Sequence, residues 1–235
     1  AGVIGMEYAS IFSVLGVAVH VLKRRTRFLA FIDTEVILAH LEQLERRGVH
    51  LHREANILKV ADNDPPEVFL EDGTRIQGDL IMVAAGRVGT ADRLQVQNVG
   101  LETTDRGLLE VNGYFQTAAP HVYAAGDIIG APSLAATSKE QGRLAARGLL
   151  GREVDLERSE EFPFGVYTIP EMSWVGRTEA KLDRAGVAYV TGRARFSEIA
   201  KGEMLGDESG FLKILVGRDN RRILGAHSLG TDASE

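Results

Sequence analysis

The sequence contains no cysteine, which excludes disulfides and thiolate metal sites within these 235 residues and is compatible with a reducing compartment. No apolar run approaches the roughly 20 residues that a membrane-spanning helix needs, so no membrane partner is expected. No signal peptide is recognisable, and a cytoplasmic location is expected. A basic stripe is missing as well. The net charge is -6, the wrong sign for a surface that neutralises nucleic-acid phosphates, so no nucleic-acid partner is expected. Internal repeats and low-complexity segments are absent. What remains is an ordinary globular composition, 44% hydrophobic and 26% charged, in a length that suits one to two domains.

The first residues carry the strongest motif. Gly2-Val3-Ile4-Gly5-Met6-Glu7 reads as the back half of a G-x-G-x-x-G dinucleotide fingerprint whose first glycine would precede residue 1. The chain is therefore expected to be a piece of a longer protein. In such a turn, glycine lets the backbone approach a pyrophosphate, whose charge meets a helix N-terminus. Tyr8, Ile11, Phe12 and Leu15 fall at helical spacing, and Gly16 reads as the stop. Val17, Val19 and Val21 alternate as a strand should.

Downstream, Asp33 is a plausible N-cap for a helix through Arg47, closed by Gly48. Val49–His52 reads as a short strand. Asp72-Gly73, between Glu67–Leu70 and Thr74–Gln77, is a hairpin signal. Asp79–Ala85 is a nearly continuous apolar run, as expected of a strand buried on both faces. The alternation of helix and strand predicts a doubly wound α/β unit over residues 1–86. A second segment, 87–157, holds a short strand near Leu108–Val111, the motif Thr117–Asp127 as an apolar strand ending in Gly126-Asp127, and a helix from about Leu134 to Leu150. The charged stretch Gly151–Glu161 reads as a linker. A third segment, 158–235, has the pattern of an α+β unit with an antiparallel sheet. Its strands are expected near Val166–Thr168, Ser173–Gly176, Phe211–Val216 and Ile223–Ser228, with a helix over Thr178–Ala185.

Three positions point to ligand chemistry. Lys23-Arg24-Arg25 ends the strand where an acidic residue would read the adenosine ribose of NAD; a basic one suits the extra phosphate of NADP. Asp127, at the end of an expected strand, could accept hydrogen bonds from ligand hydroxyls or simply cap a loop. The helix that follows would aim its first N–H groups at negative charge. The histidines read blandly. His50 and His52 would face the same way, but no acidic or third histidine ligand lies near in sequence, so no metal site is expected. His20 and His40 are expected on surfaces of a strand and a helix. His121 is expected to pack, and His227 to be structural.

Three motifs in this order, Gly2–Glu7, Ala85-Gly86-Arg87 and Thr117–Asp127, resemble the pyridine nucleotide-disulfide oxidoreductase family over essentially the whole chain. The resemblance implies an NAD(P) domain, the returning part of an FAD domain, and the start of a dimerisation domain of a homodimer. It also implies that the first FAD half and the C-terminal end fall outside this chain. It implies that Gly2, Val3, Ile4 and Gly5 hold NAD or NADP, that Glu7 sits near the nicotinamide, and that Gly86 lies near its ribose. Lys23 stands where NAD-specific dihydrolipoamide dehydrogenases carry glutamate, and Arg24 adjoins it. Gly126 and Asp127 would bind the FAD ribitol, with Ser133, Leu134, Ala135 and Ala136 at the flavin pyrimidine ring. Tyr167-Thr168-Ile169-Pro170-Glu171 departs from the disulfide-using members, which usually carry His or Asp at Ile169. That phrase, with Glu7–Phe12 and Pro132–Ala135, is similar to the branch that exchanges hydride between NADPH and NAD. A disulfide reductase and a non-catalytic nucleotide-binding or dimer-forming module are the alternatives. No residue here is expected to act as nucleophile or general acid.

Overall fold

The structure, a computed structural model, describes residues 2–152 and 162–235. Most of the expected linker Gly151–Glu161, residues 153–161, lies outside the described residues. The chain divides into two compact units: Ala1–Ala85 together with Gly165–Glu235, and Gly86–Phe164 between them in sequence.

The first unit opens on helix α1 (Val3–Val14) and strand β1 (His20–Lys23), followed by helix α2 (Thr34–Arg46) and strand β2 (His50–Arg53). β1 and β2 pair in parallel, His20 opposite His50 and Lys23 opposite Arg53. The local chemistry of α2 follows its sequence. Asp33 caps it by accepting from the Glu35 N–H at 3.1 Å, and Gly48 continues past its end with φ of +84°. Strands β3 (Ile57–Ala61), β4 (Glu67–Leu70) and β5 (Arg75–Gln77) form an antiparallel meander. Its β4–β5 turn is closed by Asp72, which accepts from the Thr74 N–H at 2.8 Å, and by Gly73 at φ of +87°. Leu22 of β1 packs with Ala55, Val68, Leu70 and Ile76, so the meander and the parallel pair share a core.

Two apolar patterns behave differently from the sequence expectation. Asp79–Ala85 forms no strand, and Leu80 and Val83 are 74% and 80% exposed. An apolar run takes strand geometry only where a neighbour accepts its ladder of hydrogen bonds, and among the described residues no strand pairs with this one. In α1 the buried residues are Met6, Ala9 and Ser10, while Tyr8, Ile11 and Leu15 are exposed. The helix is apolar on most sides, so its neighbours select the face. Ser10 is buried because its Oγ donates to Glu7 O at 2.8 Å and accepts from the Ile169 N–H at 3.0 Å.

The rest of the first unit is built on a five-stranded sheet of order β6-β7-β10-β9-β8. Its strands are β6 (Phe164–Val166, straddling the unit boundary), β7 (Glu171–Gly176), β8 (Tyr189–Arg195), β9 (Phe211–Gly217) and β10 (Ile223–Gly230). β7, β10, β9 and β8 pair antiparallel in that order. Short helices occupy Glu179–Arg184 and Ala200–Leu205. The first is capped by Thr178, which accepts from the Lys181 N–H at 3.3 Å. Along β9, Phe211, Lys213 and Leu215 all lie on the buried face. Lys213 is fully buried, and its ammonium meets Asp33 at 2.8 Å, Glu35 at 3.1 Å and Glu179 at 2.7 Å. Arg193 adds two hydrogen bonds to Glu35, at 2.7 and 2.8 Å. The three carboxylates stand close enough together to suit a metal ion, but the Lys213 ammonium already fills that role.

The histidines also depart from expectation. His40 is fully buried, because positions 36, 37, 40, 41 and 44 form the inner face of α2. Neither of its ring nitrogens has a hydrogen-bond partner. His121 is exposed rather than packed. His227 is buried, as its structural reading requires, with Nε2 3.1 Å from Arg177 O.

The second unit holds helix α3 (Ala135–Leu149) and short 3-10 turns, including Gly126–Ile129. Leu108–Val111 is not a strand, and the Thr117–Asp127 motif is held by a single antiparallel bridge, Gln116 to Tyr123. Side chains and turns replace the ladder there: the Thr117 hydroxyl donates to Ala119 O and Val122 O, and the Leu109 N–H donates to Ile128 O. Phe115, Leu144, Ala145 and Phe162 form the core beneath α3.

Candidate functional site: two open helix starts

In the first unit the candidate site is the start of α1. Gly2 is its N-cap residue, in extended conformation, and no side chain caps the helix. The first intrahelical bond runs from the Met6 N–H to Gly2 O at 3.0 Å, so the N–H groups of Val3, Ile4 and Gly5 precede the helical ladder. The first turn carries no acidic side chain to satisfy them. A Cβ built on Gly2 would meet nothing within 4 Å. Three N–H groups that precede the ladder, at the positive end of a helix, fit a pyrophosphate.

Glu7 lies one turn further on. Its Oε1 accepts from the Tyr167 N–H at 3.0 Å. With the Ser10–Ile169 bond, this ties α1 to the 167–169 segment of the same unit. Lys23 and Arg24 stand at the C-terminal end of β1 and just beyond it, the end at which open α/β sheets bind ligands. Lys23 is half-buried, with its carbonyl accepting from the Ala55 N–H, and Arg24 is exposed.

In the second unit, Gly126 sits at φ of +85°, a conformation that favours glycine. A Cβ there would come within 3.1 Å of Ser138 Oγ. Its N–H donates to the buried Gln141 Oε1 at 2.7 Å, which fixes the turn against α3. Asp127 is thereby held at the surface, where its Oδ2 pairs with Arg87 at 3.0 Å. Both partners are largely exposed, and such pairs are worth only ~0–1 kcal/mol, so a ligand hydroxyl can compete for the carboxylate.

The start of α3 completes this set. Leu134 is the N-cap residue and supplies no side-chain bond. The Thr137 and Ser138 hydroxyls both donate to Leu134 O, and Ser133 Oγ donates to Gly130 O. None of them accepts from the first turn, which also lacks an acidic residue, so the N–H groups of Ala135 and Ala136 precede the ladder uncapped. This donor set, with an adjacent carboxylate, fits a ligand that carries both hydroxyls and partial negative charge, as FAD does.

The structure therefore collects Gly2, Val3, Ile4, Gly5, Glu7, Lys23 and Arg24 in one unit, and Gly86, Gly126, Asp127, Ser133, Leu134, Ala135 and Ala136 in the other. Gly86 has φ of +144°, which favours glycine. Sequence reasoning missed Arg87, the ion-pair partner of Asp127, although it is the last residue of the Ala85-Gly86-Arg87 motif. It also missed Gln141, for which the only signal is an amide on the apolar side of α3.

Two helix starts lack side-chain caps, one in each unit. The chain belongs to the pyridine nucleotide-disulphide oxidoreductase family. Residues 1–142 match the family's model and residues 162–235 match its dimerisation domain. It is 43% identical over 236 aligned positions to the soluble pyridine nucleotide transhydrogenase of Escherichia coli (strain SMS-3-5 / SECEC), and equally to that of Shigella flexneri. Each alignment takes in all of this chain and 51% of the relative, so the chain spans about half the length of the curated relatives it matches. Among solved structures, LpdA of Mycobacterium tuberculosis superposes with a TM-score of 0.91 at 29% identity, covering 100% of this chain and 51% of its own. The HOCl-induced flavoprotein disulfide reductase RclA of Escherichia coli gives 0.90 at 26% identity, covering 99% and 54%. No helix among the described residues is long and apolar enough to cross a membrane.

Proposed function

We propose that the chain is the central portion of a flavin oxidoreductase that passes hydride between NADPH and NAD. Residues 1–86 are its NAD(P)-binding part, 87–157 the returning part of its FAD-binding domain, and 158–235 the start of a domain through which it forms a homodimer. The observation that carries this reading is the 43% identity, along the whole chain, to proteins named soluble pyridine nucleotide transhydrogenase, against 26% to one named a disulfide reductase.

In this reading the open start of α1, at Gly2, Val3, Ile4 and Gly5, binds the pyrophosphate of the nicotinamide dinucleotide. Lys23 and Arg24 take the 2′-phosphate that distinguishes NADP. Glu7 borders the nicotinamide. Asp127 accepts from a ribitol hydroxyl, exchanging its exposed pairing with Arg87 for one with the cofactor. Ser133, Leu134, Ala135 and Ala136 present the first N–H groups of α3 to the flavin pyrimidine ring, where they favour electron-rich character. Bound FAD supplies the hydride relay between two nicotinamides. The chain's own residues bind and orient; none serves as a nucleophile or general acid.

Asp127→Ala in the full-length parent protein is expected to cut the bound flavin, read from absorbance near 450 nm (about that wavelength for bound flavin), to less than half. Circular dichroism should be unchanged. A full flavin complement in the folded variant rejects the ribitol role. Lys23→Glu is expected to weaken NADPH binding at least about tenfold more than NADH binding, the scale of one charge-assisted hydrogen bond. Equal losses in both titrations reject the phosphate-reading role.

A further inference from the structure

Parallel strand pairing gathers three histidines that lie far apart along the chain. His20 opens β1 and His50 opens β2, directly opposite one another in the register, and His52 follows two residues later. Side-chain alternation puts residues 20, 50 and 52 on one face of the pair. His20 Nδ1 lies 3.0 Å from His52 Nε2. The His20 ring stacks on that of His50 with centroids 4.5 Å apart, and on that of His52 at 5.3 Å. His20 and His50 are exposed and His52 is half-buried, so water and ions reach the group.

We propose that His20 Nδ1 and His52 Nε2 form a two-imidazole clamp for a late divalent transition-metal ion, whose remaining positions water fills. Two nitrogens bound to one ion at about 2.0–2.1 Å, at angles between square-planar and tetrahedral, stand about 2.8–3.4 Å apart. The observed 3.0 Å separation falls inside that window. Without metal, the two nitrogens share one hydrogen. The ion sits to one side of the line between them, at about 2.0–2.1 Å from each nitrogen once both rings tilt toward it, and that proton moves to the other nitrogen of the donating ring, so two neutral imidazoles bind with no net proton release. Imidazole donors suit copper, nickel and zinc, and the general affinity order puts Cu(II) first.

The site is tested by titrating the full chain with Cu(II) in a calorimeter and counting coupled imidazoles by pulsed electron paramagnetic resonance. One site per chain is expected, with at least two coupled imidazole nitrogens in the wild-type spectrum. Fewer than two overturn the proposal without reference to any variant. His20→Ala and His52→Ala are each expected to raise Kd at least tenfold, while His121→Ala, an exposed histidine of the other unit, leaves it unchanged. A rise of less than tenfold in either clamp variant, or an equal rise in His121→Ala, overturns the proposal. Circular dichroism of each variant verifies the fold. Where an alanine variant unfolds, the glutamine variant, which restores polarity but not imidazole ligation, is measured in its place.

Discussion

Lys213→Ala is expected to destabilise the first unit by about 3–5 kcal/mol, the range for removing one partner from a buried ion cluster. The Lys213 ammonium is the shared partner of Asp33, Glu35 and Glu179. Burial alone would lower its pKa, but hydrogen bonds to Asp33, Glu179 and Glu35 outweigh it and hold the pKa above the ordinary lysine value. A raised lysine pKa means that the native state holds its proton more tightly than the unfolded chain. The stabilisation is thus fully present below the unfolded lysine pKa and is lost only as pH rises through the native one. Without the ammonium, three carboxylates face one another, and Asp33 is nearly as buried as the lysine was. Arg193, already committed to Glu35, cannot neutralise all three. Urea unfolding at neutral pH measures the loss. Lys213→Met fills the space but not the charge, so it separates packing from electrostatics. A methionine variant as stable as wild type would show that the cluster contributes nothing net.

His40 sets the second large effect, in acid. Burial, with the positive charge of Arg47 adding to it, lowers its pKa from 6.5 to about 4. A histidine whose native pKa lies below its unfolded one destabilises the fold as pH falls. The loss begins near the unfolded value and is complete at about pH 4, where the native state takes up the proton as well. At about 1.4 kcal/mol per pKa unit, His40 removes about 3 kcal/mol across that window. His227 adds in the same direction: burial lowers its pKa despite the opposing hydrogen bond to Arg177. His40→Leu suits the apolar face of α2 and relieves two unpartnered ring nitrogens. It is expected to be more stable than wild type at pH 4.5 by a larger margin than at pH 7.5, in urea melts at both values. Parallel stability curves for the two proteins over that range would contradict the assignment.

What could be read from the sequence was chemistry that acts over a few residues. Asp33 and Gly48 bracket α2 because a carboxylate and a left-handed glycine serve their own helix ends. Asp72-Gly73 makes its turn for the same reason. β9 and β10 emerged as short apolar runs. The features that escaped are those decided by residues far away. Lys213, in the run Phe211–Val216, reads as one polar residue in an apolar strand; only acidic groups 34 and 180 positions away make its burial tolerable. Asp79–Ala85 has the composition of a central strand but finds no ladder partner among the described residues. His20 joins His50 and His52 only through parallel pairing, which periodicity along one strand cannot reveal. At the candidate sites, the glycines and Asp127 were legible as motifs. The absence of caps at α1 and α3 was not, because Ser133, Thr137 and Ser138 could each have capped α3 and instead bond to carbonyls.

The Lys213 cluster has a consequence for synthesis. Asp33 and Lys213 are separated by 180 positions, and at about 5–20 residues per second the ribosome takes about 9–36 s to cross that interval. Throughout it, the start of α2 emerges with Asp33 and Glu35 lacking the cation that later pairs with them, while the whole of the second unit is made in between. Nascent chains arrested before residue 213 should therefore expose the 33–35 segment to protease, and chains arrested after β9 has cleared the ribosome should protect it.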